Sequence, residues 1–464
     1  MPEKPSAELA IWEERLIREW RVLQGGIKNY KNPAITGRPS VLQDYGPLSR
    51  HELERAAADL LALQRGLTGD RALIGSAYMD EGQRLGAYLL FYWFTSYAQT
   101  WGMLDMTYEA HSVKPENRAP FVPMSEGRFR ILDLGSGPAP CSLATADWLR
   151  FRGISPDSIE IRACDQSPLA LKHAQALAQQ AGYNMKTIAP WWAGTSAIPA
   201  GKYHIITIGH MLNELWKETP ERLQKREAFI AKLGKHLEPG GILIILEPAL
   251  LATGRDLLAL RDRLVASDWR VLAPCFTQRP CPAFKESQQT CHSDFAWNPP
   301  RTVRDLAKKT GLDKDLVKTT ALVMSRREDH LGNSPVYLTE ARALDNLGSH
   351  PKALDTANYS SATEDTATAE AAGGTKGDTD QRGPYRIVSE PMLNKAGRTR
   401  LILCGDEGRI PFSAKLGEGL PGETQFRTLR RSDAILLYQP VRRETGLALG
   451  EQTRIKKSLK LANK

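Results

Sequence analysis

The sequence predicts an α/β protein in which helices come first, a parallel sheet with crossover helices follows, and a small β domain ends the chain. Three observations predict this order. Stretches such as 50–65 repeat apolar residues with a period near 3.6. From Phe129 onward, short β-rich runs alternate with helical stretches. A length of 464 residues also leaves room for about three domains.

The first region, residues 1–110, is predicted to be a helical domain. Within it, Leu85–Leu104 contains no charged residue and is as long as a membrane-spanning helix. Polar side chains at Thr95, Ser96 and Gln99 interrupt this segment. We therefore expect a buried helix rather than a membrane span.

The middle region, residues 111–339, is predicted to hold the sheet. Its predicted strands lie at 129–134, 159–164, 204–208 and 242–246, with 316–324 completing the sheet. Residues 273–300 carry prolines and cysteines without a regular period, so we interpret them as a Cys-rich insertion. Residues 340–382 contain almost no bulky apolar side chains, which predicts a disordered linker. Residues 383–464 are predicted to form a small basic β domain and tail.

The charge of the chain is distributed unevenly. There are 62 Lys and Arg against 53 Asp and Glu, a formal net charge of +9. Residues 383–464 hold 16 basic and 8 acidic residues, a net charge of +8, whereas 340–382 hold 4 basic and 8 acidic residues. The predicted C-terminal domain therefore suits an anionic partner.

The six cysteines are too sparse for a disulfide scaffold, which favours a reducing compartment. The N-terminal residues lack the order of a secretory signal, and acids such as Glu3, Glu8 and Glu13 are unlike a mitochondrial presequence. We expect the cytoplasm of a bacterium, with the mitochondrial matrix as the alternative.

A glycine-containing turn follows the first predicted strand. Ile131–Gly137 reads ILDLGSG and places Asp133, Gly135, Ser136 and Gly137 where strand becomes helix. Glycines let a ligand approach the backbone closely. The third glycine of a dinucleotide fingerprint is replaced by Pro140, so the match to a dinucleotide site fails.

Asp165 follows the second predicted strand, at the spacing of a carboxylate that binds ribose hydroxyls. Together with the glycine turn it favours S-adenosylmethionine over NAD. The alternative is an ordinary βα turn with Asp165 as a helix cap. Trp191 and Trp192 are candidates for adenine contacts, or else core and anchoring aromatics.

Asn213 and Glu214 follow the strand 204–208, at the edge of the sheet where α/β proteins bind ligands. They are our candidates for catalytic residues, and Asn213 also for cofactor binding. Glu214 is equally well explained as a helix-start acid. The Asn/Asp-Pro-Pro-aromatic motif of amino methyltransferases is absent from this position.

Four cysteines lie outside the predicted nucleotide-binding fold. Cys275, Cys281 and Cys291 fall in the insertion, and Cys404 lies in the C-terminal domain. Four thiolates complete either a zinc site or an iron–sulfur cluster. Because no Cys-x-x-Cys occurs, unconnected thiols stay an alternative, and so does a cysteine nucleophile for pyrimidine methylation.

These motifs together resemble the methyltransferase-like small-ribosomal-subunit assembly proteins of mitochondria and bacteria. The resemblance extends from Leu73 to Tyr438 without the linker. It rests on the segments Asp133–Pro140, Gly209–Leu215, Leu246–Pro248, Pro274–Cys275, Arg279–Pro282, Cys291–His292 and Ser389–Pro391.

The resemblance implies a Rossmann-like class I S-adenosylmethionine-binding domain and a [4Fe-4S] cluster. Its ligands would be Cys275, Cys281, Cys291 and Cys404, with zinc as the alternative metal. The implied partners are the rRNA and proteins of the small ribosomal subunit, and we expect a chain that is monomeric when free and has no membrane partner. The family leaves two functions open: a factor that supports assembly and translation, or an active rRNA methyltransferase.

Overall fold

The computed structural model describes residues 4–25, 46–69, 73, 78–111, 128–326 and 381–457. Its helices are α1 Lys4–Leu23, α2 Arg50–Gln64, α3 Gly82–Ala87, α4 Trp93–His111, α5 Pro140–Phe151, α6 Pro168–Gln180, α7 Arg222–Gly234, α8 Leu251–Ala266, α9 Arg301–Thr310 and α10 Glu423–Thr428. Its first eight strands are β1 Phe129–Leu134, β2 Ile159–Cys164, β3 Asn184–Ile188, β4 Tyr203–Gly209, β5 Leu237–Glu247, β6 Trp269–Ala273, β7 Ser293–Ala296 and β8 Leu316–Arg326.

The first sheet has the strand order β3-β2-β1-β4-β5-β8-β6, with β7 paired to β8. Strands β1 to β5 are parallel, and β8 runs antiparallel to both β5 and β6. The apolar run of β5 from Ile242 to Leu246 is buried along its whole length, as expected for a strand covered on both faces. The predicted α/β class is confirmed.

Both faces of this sheet are covered by helices. Alternate residues of β1 point to opposite faces, so Ile131 packs with α5 and α6 while Leu132 packs with α7 and α8. The strand order reverses between β1 and β4. In open α/β sheets this point forms a crevice at the carboxyl ends of the strands.

The N-terminal helices share the hydrophobic core of one sheet face. Buried Asp147 of α5 joins them to it, because its carboxylate accepts hydrogen bonds from Trp12 Nε1 (2.6 Å), Tyr97 Oη (2.7 Å) and Tyr183 Oη (2.6 Å). Helix α4 packs against β5, β6 and β8. The separation of residues 1–110 as a domain stays a prediction.

The uncharged segment Leu85–Leu104 is helical and largely buried. A π-helical turn at Tyr88–Tyr92 separates α3 from α4. Thr100 satisfies its hydroxyl by donating to the Ser96 carbonyl oxygen one turn earlier, at 2.8 Å. None of the helices in the described ranges is long and apolar enough to cross a bilayer.

Three strands of the first sheet, β3, β6 and β7, were absent from the sequence prediction. Strand β7 falls in the predicted insertion, and β3 and β6 lie at the two ends of the strand order. In β3, Met185 is the one buried residue, because the strand borders a single neighbour and its other side chains face solvent. Edge strands of this kind carry little apolar signal.

A second, mostly antiparallel sheet follows residue 381. Its strands are β9 Gln381–Ile387, β10 Met392–Leu393, β11 Arg398–Gly405, β12 Gly408–Lys415, β13 Ala434–Tyr438, β14 Val441–Arg443, β15 Gly446–Ala448 and β16 Arg454–Lys457. This sheet has its own core, which includes Tyr385, Leu403 and Phe412. The predicted C-terminal β domain is confirmed. The predicted linker at 340–382 lies outside the described residues except for its last two, which begin β9.

The second sheet contacts the Cys-rich insertion directly. Arg386 Nε donates to the Pro274 carbonyl oxygen at 2.9 Å, and the Asp294 amide donates to Ser432 Oγ at 2.8 Å. Arg431 forms an ion pair with Asp294 at 3.3 Å. The insertion therefore lies between the two sheets.

Candidate functional site

A cavity of about 910 Å³ lies at the strand-order reversal of the first sheet. It is lined by the segments that follow β1, β2, β4 and β5 and by the start of β8. This volume is in the range of small-molecule and cofactor sites. The predicted residues Asp133, Gly135, Ser136, Gly137, Asp165, Asn213 and Glu214 all line this one cavity.

The glycine turn leaves no space for side chains at two positions. Gly135 has φ +64° and Gly137 has φ +52°, a region that L-residues rarely adopt. A Cβ at Gly135 would lie 2.5 Å from the Met211 sulfur, and one at Gly137 would lie 2.9 Å from the Met79 sulfur. Glycine is therefore required for the close approach of this loop to its neighbours.

The two predicted carboxylates shape the loops around the cavity. Asp133 is buried and accepts from Thr207 Oγ1 at 2.7 Å and from the Ser142 amide at 3.1 Å. Asp165 accepts from the Gly137 amide at 2.7 Å and from the Ser167 amide at 2.8 Å. Burial raises the pKa of Asp133 to about 6 and also raises the pKa of Asp165. Asp165 thus ties the glycine turn to the end of β2.

Asn213 holds the loop that follows β4. Its Nδ2 donates to Glu247 Oε2 at 2.5 Å and to the His210 carbonyl oxygen at 3.0 Å, and its amide donates to Glu247 Oε1 at 3.1 Å. Glu247 ends β5 and is buried. Through these contacts Asn213 holds the loop after β4 in position. Both Asn213 and Glu214 line the cavity.

The two tryptophans after β3 differ in exposure. Trp191 is buried, and its Nε1 donates to the Ala197 carbonyl oxygen at 2.9 Å. Trp192 is 51% exposed. Both line the cavity, and their contact with an adenine stays a prediction.

One wall of the cavity comes from the N-terminal helical region, which the sequence reading did not assign to the site. Its members are Tyr78, Met79, Tyr88, Tyr92, Thr95, Ser96 and Gln99. The polar residues that interrupt the uncharged segment Leu85–Leu104 were the available signal. Thr95, Ser96 and Gln99 are buried and line the cavity.

His210, Lys314 and Lys318 also line the cavity and were not predicted. His210 Nε2 lies 2.9 Å from Gln99 Oε1, and Gln99 Nε2 donates to the Lys318 carbonyl oxygen at 2.8 Å. Burial lowers the pKa of His210 to about 4, with a smaller contribution from Lys314. The imidazole is therefore neutral at physiological pH.

A second site is formed by the four cysteines outside the core. Cys275, Cys281, Cys291 and Cys404 line one small cavity between the insertion and strand β11. All six cysteines of the chain are free thiols, and Cys141 and Cys164 are buried in the first domain. The fold thus brings Cys404 to three thiols that precede it by more than 100 residues.

Buried arginines surround these thiols. Arg261 and Arg409 line the thiol cavity, and Arg386 is close enough to influence Cys275 and Cys291 electrostatically. One guanidinium nitrogen of each arginine has no hydrogen-bond partner among the described residues: Arg261 Nε, Arg386 Nη2 and Arg409 Nε. Unpaired buried donors of this kind favour a negatively charged occupant.

The thiols themselves are held close enough to repel one another as anions. Burial raises the pKa of Cys281 to about 12, with Cys275 adding to the shift, and raises the pKa values of Cys275 and Cys404. Within the described ranges, no three Cys, His, Asp or Glu side chains converge as ligands of a single metal ion. The raised pKa values of Cys275, Cys281 and Cys404 favour their protonated forms.

The central part of the chain matches a known family. Residues 90–315 match the family described as Rsm22, mitochondrial small ribosomal subunit. The predicted family resemblance is confirmed. The matched segment contains most of the lining of the cavity at the strand-order reversal and three of the four cysteines, and it ends before Cys404. No curated protein gives a significant match to the sequence.

Solved structures of methyltransferases are weakly similar to the chain. A putative class I S-adenosylmethionine-dependent methyltransferase from Listeria monocytogenes is 12% identical with a TM-score of 0.32, over 70% of this chain and 83% of that one. The plantazolicin methyltransferase BpumL in complex with SAH is 12% identical with a TM-score of 0.29, over 60% and 99%. A Pyrococcus furiosus methyltransferase is 11% identical with a TM-score of 0.27, over 46% and 82%.

The burial of Glu247 predicts that the stability of the folded protein depends on pH. Burial raises its pKa from 4.5 to about 8. Between these values the folded state holds a proton that the unfolded state has lost, so stability falls as pH rises. The contribution is complete below pH 4.5 and is lost as pH passes 8. Glu247→Gln should therefore gain stability relative to wild type with rising pH, by roughly 5 °C in Tm at pH 9.

Thermal unfolding at pH values from 5 to 9 checks this prediction. The exposed Glu221→Gln change provides a matched control, since it removes the same charge from the surface. A difference between Glu247→Gln and wild type that is constant across this pH range would contradict the proposed titration.

Proposed function

We propose that this protein is an S-adenosylmethionine-binding, iron–sulfur-containing factor that associates with the small ribosomal subunit and supports its assembly and translation. The observation that carries the proposal is the match of residues 90–315 to a small-ribosomal-subunit family, across a glycine-turn cavity at the switch point of the sheet. The alternative is an active rRNA methyltransferase, which the extension of the cavity past β4 toward β5 and β8 favours.

The cavity suits S-adenosylmethionine. Gly135 and Gly137 let the cofactor approach the backbone, and Asp165 accepts hydrogen bonds from ribose hydroxyls through lone pairs that its two amide partners leave open. Trp191 and Trp192 lie after β3, next to Asp165, where they contact the adenine. The cofactor supplies an activated methyl group when it is bound. Asn213 keeps the neighbouring loop in place through Glu247.

Asp165→Ala should weaken the binding of S-adenosylhomocysteine at least tenfold, since a hydrogen bond to a charged group contributes about 1.5–3 kcal/mol. Isothermal titration calorimetry measures the affinity. Asp157→Ala, on the turn before β2, is the matched control. Unchanged affinity in a folded Asp165→Ala variant would remove the ribose role.

The four-thiol cavity is the site that we propose for the [4Fe-4S] cluster, with zinc as the alternative. Four thiols line it, and one buried guanidinium nitrogen each of Arg261, Arg386 and Arg409 offers compensation for an anionic metal–thiolate group. Metal binding deprotonates thiols, which the raised pKa values of Cys275, Cys281 and Cys404 otherwise oppose. With Cys404 as a ligand, the cluster would fasten the second sheet to the insertion.

Anaerobic purification followed by iron, sulfide and zinc analysis tests the metal. We expect about four iron and four sulfide per chain, the composition of a Cys₄-bound cubane. Cys404→Ala should lose most of this iron, and Cys164→Ala, a buried core thiol, should retain it. Zinc without sulfide would overturn the cluster in favour of the alternative metal.

The second sheet provides a basic surface for rRNA. Exposed basic side chains are distributed over its strands and turns: Lys395, Arg400, Lys415, Arg427, Arg430, Arg442, Arg443, Arg454 and Lys456. Contacts of such side chains with phosphates give salt-sensitive affinity. We propose residues 383–464 as the RNA-contacting module of a chain that is monomeric when free.

Co-sedimentation with purified small ribosomal subunits tests this module. Arg442→Glu/Arg443→Glu should weaken binding at least tenfold at low salt, because it replaces phosphate contacts with repulsion. Lys232→Glu/Lys235→Glu makes the same change in net charge on exposed positions at the end of α7 and should stay within about twofold. Equal effects of the two variants would reject the C-terminal surface.

The same assay separates the proposed compartments. The family description is mitochondrial, which fits the predicted bacterial cytoplasm poorly. Bacterial and mitochondrial small subunits are therefore assayed in parallel, and the subunit that binds more tightly identifies the compartment.

A further inference from the structure

The cavity at the switch point has a side that the cofactor residues do not use. Asp165 and the tryptophans lie at the ends of β2 and β3, on one side of the β1/β4 crevice. On the other side, the ends of β4 and β5 and the start of β8 form the lining, together with Gln99 and Tyr92 from the helical region. A cofactor bound to the first side leaves this second side for another molecule.

His210 is the fixed polar group of this second side. Its amide donates to the Leu246 carbonyl oxygen at 2.8 Å, and its own carbonyl oxygen accepts from Asn213 Nδ2 at 3.0 Å. Its φ of +58° lies in the left-handed region, which few residues other than glycine adopt. Such backbone conformations persist where surrounding contacts enforce them, and they concentrate at functional sites.

The hydrogen bonds around Gln99 assign the tautomer of His210. Gln99 Nε2 donates to the Lys318 carbonyl oxygen at 2.8 Å, so Gln99 Oε1 faces His210 and accepts from its Nε2 at 2.9 Å. A neutral imidazole has one donor and one acceptor nitrogen. Nδ1 is therefore the acceptor, and among the described residues it has no hydrogen-bond partner.

An aromatic ring and a cation line the same side of the cavity. Tyr92 lines it from the π-helical turn. The Lys314 ammonium lies 5.2 Å from the Phe91 ring centroid and 5.6 Å from that of Tyr92. Aromatic side chains suit a planar ring, and a lysine suits the phosphate attached to it.

We propose that this side of the cavity is a nucleobase subsite, in which His210 Nδ1 accepts a hydrogen bond from the exocyclic amino group of an unpaired RNA base. The proposal rests on the proposed function, since it names what the same cavity binds next to the cofactor. An amino-bearing base fits because Nδ1 is an acceptor and the lysine and tyrosine groups supply cation and ring contacts. Bases reach enclosed sites of this kind when they leave the helical stack.

Nucleoside pairs that differ by one amino group test the subsite. Cytidine is compared with pyrimidin-2-one riboside, and adenosine with purine riboside, on the full-length protein saturated with S-adenosylhomocysteine. Dissociation constants are measured by NMR titration. We expect the amino-bearing member of at least one pair to bind about fivefold more tightly, the effect of one net hydrogen bond.

His210→Gly is the decisive variant, because glycine tolerates a positive φ and removes the imidazole acceptor without supplying another side-chain acceptor. It should abolish the preference for the amino-bearing nucleoside and leave the affinity for S-adenosylhomocysteine within twofold. His236→Gly, in the turn after α7, is the matched control and should keep the preference. Histidine ¹⁵N spectra of the wild type should show Nδ1 unprotonated and shifted by the tighter-binding nucleoside.

Two results would overturn the subsite: equal binding within both nucleoside pairs in the wild type, or an unchanged preference in His210→Gly. Cytidine and pyrimidin-2-one riboside are also titrated without S-adenosylhomocysteine. If the protein does not bind S-adenosylhomocysteine but still prefers cytidine, the proposed cofactor is contradicted and the nucleobase subsite stands. The two failures are therefore distinguishable.

Discussion

The parallel pairing of β1 with β2 on one side and β4 on the other is the constraint on which the rest of the structure depends. It buries strands on both faces, so two layers of helices are required, and it opens a crevice where the strand order reverses. Helices α5 to α8 cover most of the sheet. Helix α4 covers β5, β6 and β8, which brings Gln99 and the tyrosines of the π-helical turn to the crevice. The N-terminal helices therefore serve both the core and the cavity.

Buried polar groups fix the geometry of that cavity. Asp165 holds the glycine turn, Asn213 and Glu247 hold the loop after β4, and Gln99 orients His210. Each of these contacts joins two segments that are separated in sequence. The polar groups are hydrogen-bonded because leaving a buried polar group unpaired would destabilise the fold. The thiol cavity differs, because one guanidinium nitrogen each of Arg261, Arg386 and Arg409 lacks a hydrogen-bond partner among the described residues. The first cavity is therefore pre-organised by its own side chains, whereas buried donors beside the second are left unpaired.

The sequence prediction was most accurate for buried strands, because burial produces a recognisable pattern of apolar residues in the sequence. The strands 129–134 and 159–164 agree with β1 and β2 at both ends, because both are central strands in which four or more of the six residues are buried. It failed at the edges of the sheet, where β3 buries one residue and β6 has only five residues. It also missed His210, Gln99 and Lys314 as cavity residues. Their partners come from α4 and β8, and no local spacing reveals a contact across more than 100 residues.

By itself, the sequence determined the α/β class, the glycine turn with Asp133 and Asp165, the uneven charge and the set of unassigned cysteines. These features are local or compositional, so periodicity, turn chemistry and counting reveal them. The tertiary structure alone decided that Asn213 positions a loop through Glu247, that α4 closes the cavity, and that Cys404 of the second sheet lies with the thiols of the insertion. Such contacts depend on how sheets and helices pack in three dimensions. Hydrophobic burial drives that packing, but the local sequence does not show which distant segments meet.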